Sequence, residues 1–296
     1  MRTVRQMGQG DRQGQGDERS HVGSSSLNLD LTATQRLVET AGWHGCRPAL
    51  VTRQAGQIYS FAELASTIQR AAAGLAWRGL RPRDVVGVYV PDAASYVLAC
   101  HSVSTAGGIP CPLSAGLSVT QAAGQLADCG ARMLLTAEPL AIAALAAADR
   151  SWVRQVISFG DAPAATPFSA LLGMGSLQPP AARPHDLALL AYAGGADGAL
   201  QPAGLTHLDM SAELAALRAT AAIDESDVVL AAPPAGDGRS YTSFIDHALL
   251  HGATIVAACT DELSAAAAEH SATAAIVALG VEVQGSVPLR LFAVTS

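Results

Sequence analysis

The stretch best placed to do chemistry is Ala191–His207, AYAGGADGALQPAGLTH, which follows the apolar run 186–190 and precedes a helical pattern over 208–222. Strand, glycine-rich loop and helix in that order let backbone N–H groups cradle a phosphate. A phosphate loop normally adds a cation for the phosphates and a hydroxyl for magnesium. From Ala193 to Gly204 there is no Lys, Arg, Ser or Thr. The frame of an anion site is therefore written without its side chains, and the residues favour a structural turn over a working phosphate cradle.

Other chemistry-bearing residues are sparse. His44 with Cys46, and His247 with His251, are the close pairs of metal-type side chains. The second pair has i, i+4 spacing, which could share a metal, but no third ligand stands nearby in sequence, so it reads as two helix-surface histidines. Asp237 and Arg239 fall in a glycine-rich loop at a strand end, where α/β proteins gather ligands, although the residues favour a solvated loop. There is no GxSxG elbow, no HExxH and no GxGxxG in the first strand–helix turn. The expected catalytic set and the expected metal set are both empty.

Composition narrows the partners. All 18 basic residues are Arg, and the net charge is −7. A chain without Lys cannot use that side chain as Schiff base, phosphate clamp or general base, and the acidic balance argues against a nucleic-acid partner. Five scattered cysteines without a CxxC pair read as reduced thiols in a cytoplasmic protein. No apolar run reaches the ~18 residues of a membrane span, and the N-terminus has no apolar signal core.

The elements that would position these residues follow from periodicity. Residues 1–28 are polar and predict a disordered tail. Helices are expected over 31–41, 61–78, 94–106, 118–129, 138–148, 208–222, 241–251 and 263–270. Ser60 and Glu63 form a capping-box pair ahead of the second helix. Strands are expected over 84–90, 108–112, 132–136, 153–159, 186–190, 228–232, 254–257, 274–279 and 289–294, the last read as buried, with a short hairpin at 49–60. Alternation at this spacing predicts an α/β fold of two layered αβα blocks with largely parallel sheets. The blocks are expected at 29–160 and 186–296, joined by a Pro/Gly/Ala-rich connector at 161–185.

The wording of the pieces resembles the adenylate-forming (AMP-binding) superfamily, in the manner of its acyl-CoA synthetases and coumarate-CoA ligases. The most specific stretch is Tyr59–Thr136, with its aromatic–x–Glu–Leu opening, the Gly-Leu-x-x-x-Asp-Val strand entry, Ala-Gly-Gly before the next strand and Gly-Ala-Arg-x-Leu-Leu-Thr. Residues 227–257 and 289–296 fit as well, so the resemblance covers about 30–296. It implies part of the large N-terminal domain of such enzymes, with ATP, magnesium and CoA as cofactors and a small carboxylic acid as ligand. The parent reaction joins the acid to AMP and then to a thiol.

The family's phosphate motif reads Tyr-Ser-Ser-Gly-Thr-Thr-Gly-x-Pro-Lys-Gly, then Leu-Thr-His. Onto it fall Tyr192, Gly194, Gly195, Asp197, Gly198, Gln201, Thr206 and His207. The serines become Ala193 and Gly194, the threonines Ala196 and Asp197, and the lysine Gln201. A carboxylate against triphosphate repels by ~1 to 4 kcal/mol, and the lost lysine removes a contact worth ~1.5–3 kcal/mol. Pro233–Gly238 also departs from the family, which places a His near the acyl pocket there. The resembling enzymes continue well beyond 296 residues, into a Gly-rich strand end, a ribose-binding Asp and a mobile domain with a catalytic lysine. The expectation is a truncated, inactive acyl-CoA synthetase-like protein. A non-catalytic binding or assembly module and one piece of a split ligase are the alternatives, with self-association or a complementing protein as possible partners.

Overall fold

The computed structural model describes residues 31–52, 56–194, 200–233, 238–278 and 289–294. Local signals set most helix starts. Thr32 caps α1 (Ala33–His44), and Ser60 accepts from Glu63 N at 3.2 Å while Glu63 Oε2 accepts from Ser60 N at 2.9 Å, opening α2 (Phe61–Trp77). Between them lies the hairpin β1 (Pro48–Val51) and β2 (Ile58–Ser60). Then follow β3 (Val85–Tyr89), α3 (Ala93–Thr105), β4 (Ile109–Pro112), α4 (Val119–Asp128), β5 (Met133–Ala137), α5 (Ala141–Ala148), β6 (Gln155–Phe159) and β7 (Thr166–Pro167). The second stretch holds β8 (Leu187–Gly194), β9 (Leu200–Thr206), α6 (His207–Thr220), β10 (Val228–Ala231), α7 (Arg239–Leu250), β11 (Thr254–Ala257), α8 (Leu263–Glu269), β12 (Ala274–Ala278) and β13 (Arg290–Val294). Among the described residues no helix is long and apolar enough to cross a membrane.

Two sheets result, ordered β13-β12-β10-β11-β1-β2 and β4-β3-β5-β6-β7, parallel throughout except where β2 runs against β1. Period-2 alternation sorts their side chains into layers. Val229, Ala231, Ile255, Ala257 and Ile276 face one core together with Val86, Val88, Met133 and Leu135 of the other sheet and with α1, α2, α3 and α7. Leu230, Val256, Ala275 and Val277 face away, against Leu263, Ala266 and Ala267 of α8. Leu134 and Tyr89 face α4 and α5. The two expected αβα blocks thus share their middle helical layer, and the order of layers is α, β, α, β, α.

The middle layer explains α3, whose thirteen residues are all buried except Ser104. A helix with no solvated charged face and apolar residues on every side must be surrounded. Close approach governs two glycines. A Cβ on Gly74 of α2 would sit 2.4 Å from the Leu171 carbonyl oxygen. Gly238 starts α7 with φ +73° and leaves only 2.8 Å to Pro112 Cβ for any added carbon, a double reason for glycine.

Two expectations change. The stretch after 191 is not a loop running straight into a helix: β8 and β9 form an antiparallel hairpin from Leu187↔Thr206 to Gly194↔Leu200. Pro202 is tolerated in β9 because a two-stranded ribbon has edges on both sides. The strand near residue 290 is not buried either. As the outermost strand, β13 leaves Arg290, Leu291 and Ala293 exposed and tucks in Phe292 against Phe244.

Candidate functional site

The hairpin carries the motif. Tyr192, near the end of β8, is buried, and its hydroxyl donates to Asp128, the last residue of α4. Burial first, then that carboxylate bond, pushes the phenol well above its ordinary range, so Tyr192 is a fixed donor and not a proton-transfer group. Gly194 ends β8, and Gln201 is exposed on β9, paired with Ala193. Gly195, Asp197 and Gly198 lie outside the described residues, as does Asp237.

Thr206 and His207 are placed by the start of α6. Thr206 Oγ1 accepts from Asp209 N at 3.1 Å, and Asp209 Oδ2 accepts from Thr206 N at 2.9 Å and from the Thr206 hydroxyl at 2.6 Å. That reciprocal box satisfies two helix-end donors and holds the Asp209 carboxyl below its usual range, chiefly through the Thr206 side chain. His207 N donates to Asp186 O at 3.0 Å, and burial pulls the imidazole pKa down, with the Asp186 charge pulling the other way. The neutral ring borders a small cavity behind the hairpin.

This donor set does not fit a nucleotide triphosphate with its magnesium. Among the described residues, the one hydroxyl donor of the motif besides Tyr192 gives its proton to Asp209. The carboxylates of Asp209 and Asp186 flank the motif, Asp186 paired with Arg83 at 2.6 Å and Asp209 within reach of the Arg239 charge. The position expected to supply positive charge holds the neutral amide of Gln201. Arg83 and Arg239 are engaged by carboxylates, so among the described residues the motif itself brings no cation of its own to a phosphate.

The other sequence candidates separate. His44 Nδ1 stands 3.5 Å from Glu225 Oε2 and its ring packs on Phe61, while Cys46 is exposed. His247 corrects the helix-surface reading: it is 1% exposed, and its Nε2 donates to Ala221 O at 2.8 Å. The helix carrying it is sandwiched between α1, α6 and the sheet, so one of the two histidines must face inward. His251 is half-buried, with Nδ1 2.8 Å from His247 O. Arg239 opens α7 and pairs with Glu213 of α6. Motif reading missed Asp128, the anchor of Tyr192, because it lies 64 residues away. All five cysteines are free thiols.

A five-layered α/β domain with an antiparallel hairpin leading into a helix at a Leu-Thr-His sequence defines the N-terminal architecture of adenylate-forming enzymes. Residues 37–290 match the profile of the AMP-binding enzyme family, and the chain belongs to that family. It is similar to a feruloyl-CoA synthase of Amycolatopsis sp, 26% identical over 208 residues, covering 70% of this chain and 40% of that one. It is 27% identical over 239 residues to 4-coumarate–CoA ligase 3 of Oryza sativa subsp. japonica, with 78% and 42% covered. In fold it is like a long-chain-fatty-acid-CoA ligase from Archaeoglobus fulgidus, with a TM-score of 0.76 at 18% identity, covering 84% of this chain and 52% of that one. The chain spans about half the length of the relatives it matches.

Proposed function

We propose that this chain is an acyl-CoA-ligase-like member of the AMP-binding family that by itself does not adenylate carboxylic acids. The observation that carries the reading is Gln201, with Ala193, Ala196 and Asp197, in place of the lysine and hydroxyls of the phosphate motif. Adenylation depends on preorganised groups that neutralise developing phosphate charge. The capping box that engages Thr206 and Asp209 supports a structural role for the end of the motif. The setting we propose is the cytoplasm, in keeping with the free thiols.

The test is pyrophosphate exchange with a panel of aryl and fatty acids. No exchange above background is expected, and turnover with any acid would overturn the reading. Calorimetric titration with ATP accompanies it. Saturable ATP binding without exchange would move the chain to the alternative class, a non-catalytic binding module.

A further inference from the structure

Behind the hairpin lies a cavity of about 40 Å³ between α1, α3, α6, α7 and β8. A water needs ~10–15 Å³ of such space, so the cavity admits a few heavy atoms. Ala33, Ser104, Ala188 and His207 form a half-buried rim. Deeper in the wall stand Thr34, His101 and Asp246, at 4%, 5% and 4% exposed. His101 Nε2 is 3.2 Å from Asp246 Oδ1, and His101 Nδ1 is 2.9 Å from Thr34 Oγ1.

The order of these contacts fixes their roles. Asp246 Oδ1 lies beside Nε2, an arrangement that favours the tautomer protonated on that nitrogen and leaves the Nδ1 lone pair facing Thr34. The Thr34 hydroxyl then donates to that lone pair. Hydroxyl, imidazole and carboxylate in line, beside a cavity, is the arrangement of an activated nucleophile. Stability alone is a weak reason for such a set, because buried hydrogen-bonded partners replaced by apolar groups of the same shape are often nearly neutral.

We propose that Thr34 is a hydroxyl nucleophile that accepts a small, acetyl-sized acyl group from an activated ester or thioester, with His101 as its base and Asp246 orienting that base. Thr34 Oγ attacks the acyl carbonyl carbon as its proton passes to His101 Nδ1. The bond from that carbon to the leaving group breaks and the leaving group departs as an anion. An acetyl ester remains on Thr34, beside an imidazolium paired with Asp246, and nothing is oxidised or reduced. Cavity size selects short acyl groups, and the leaving group must lie at the rim. Cys100 lines the same cavity, but burial and then the Asp246 charge push its thiol up and keep it protonated.

The probe is p-nitrophenyl acetate with the full chain, read by phenolate release, intact mass and peptide mapping. With no Lys in the sequence, background acetylation on amines is confined to the N-terminus. One acetyl group on the peptide bearing Thr34 is expected. Thr34→Val should abolish it, Thr34→Ser should retain it, and His101→Gln should slow it by about 100-fold or more. Asp246→Asn, which keeps the shape and permits the other tautomer, should also slow labelling while circular dichroism stays native. Acetyl on Cys100 or only at the N-terminus, or equal labelling of Thr34→Val, would overturn the proposal. Should Thr34→Val fail to fold, mapping of Cys100→Ser still locates the group, and its absence from Thr34 would overturn the proposal equally.

Discussion

The hairpin at 187–206 and the cavity behind it are neighbours with opposite characters. The hairpin keeps the glycines, the Tyr192 anchor and the Thr206 cap of a phosphate motif, while the lysine position of that motif holds Gln201 and its hydroxyls are engaged by carboxylates. The cavity has no motif at all, yet it brings a hydroxyl, an imidazole and a carboxylate into line. Backbone frames persist because packing needs them, whereas charged side chains away from water need a partner or a task. A motif therefore reports ancestry, and a buried polar line reports where chemistry can still be done.

Stability offers the largest effect by which this contrast could break. Asp246→Ala leaves the His101 Nε2 side without its carboxylate inside the shared helical layer and should cost about 1–3 kcal/mol in urea unfolding. A loss near zero would mean the cavity groups are no more embedded than the hairpin. The next largest effect is a gain. Gln201→Lys should tighten ATP binding by about 10-fold or more, read by calorimetry, since a charge-assisted contact is worth ~1.5–3 kcal/mol. It should leave Thr34 acetylation unchanged. Coupled changes would show that hairpin and cavity act as one site.

A smaller effect compares two identical devices. Thr206→Ala and Ser60→Ala each remove one capping box and should each cost about 1 kcal/mol, since the two boxes share distances within about 0.2 Å. A much larger loss for Thr206→Ala, seen as a larger drop in the urea midpoint, would make the hairpin exit a structural keystone. Light scattering adds a check on assembly: with β13 exposed at the sheet edge, the isolated chain should self-associate, and a clean monomer would count against that.

Much of the scaffold was legible because it is local. The Ser60–Glu63 box, the glycine stop after Trp77 and the alternation of β10 to β12 are all written within a few residues. The hairpin was not, because Ala, Gly and Pro have low strand propensity and β9 exists only through its pairing with β8. His247 was misplaced because i, i+4 spacing says nothing about which side of α7 meets solvent. Thr34 and His101 are 67 residues apart in sequence, and no spacing rule joins them. A trace was nevertheless visible: His101 is the one histidine in a helix otherwise buried among apolar side chains, and Asp246 sits in another buried run.

The finest distinction between core and hairpin lies in pH. His247 and His207 are both held below the ordinary imidazole pKa, each chiefly by burial. For His247 the cause is concrete: Nε2 donates to Ala221 O while Nδ1 is buried without a partner, so a second proton would bury an unpaired N–H. A folded pKa below the unfolded value near 6.5 means the unfolded chain binds protons that the fold refuses. The contribution is intact above that pH and is lost as pH falls through it toward the folded value. At the unfolded pKa, the loss from a histidine that stays neutral in the fold is about 0.4 kcal/mol. Unfolding free energies of the wild type should therefore fall between about pH 7.5 and 6.5, with His44 contributing in the same direction. His247→Gln, whose amide can still donate to Ala221 O, should flatten that slope more than His207→Gln, because His207 sits at a half-buried rim. Equal flattening would mean that the hairpin end is as sealed as the core, and the contrast between the two regions would fail at its most sensitive point.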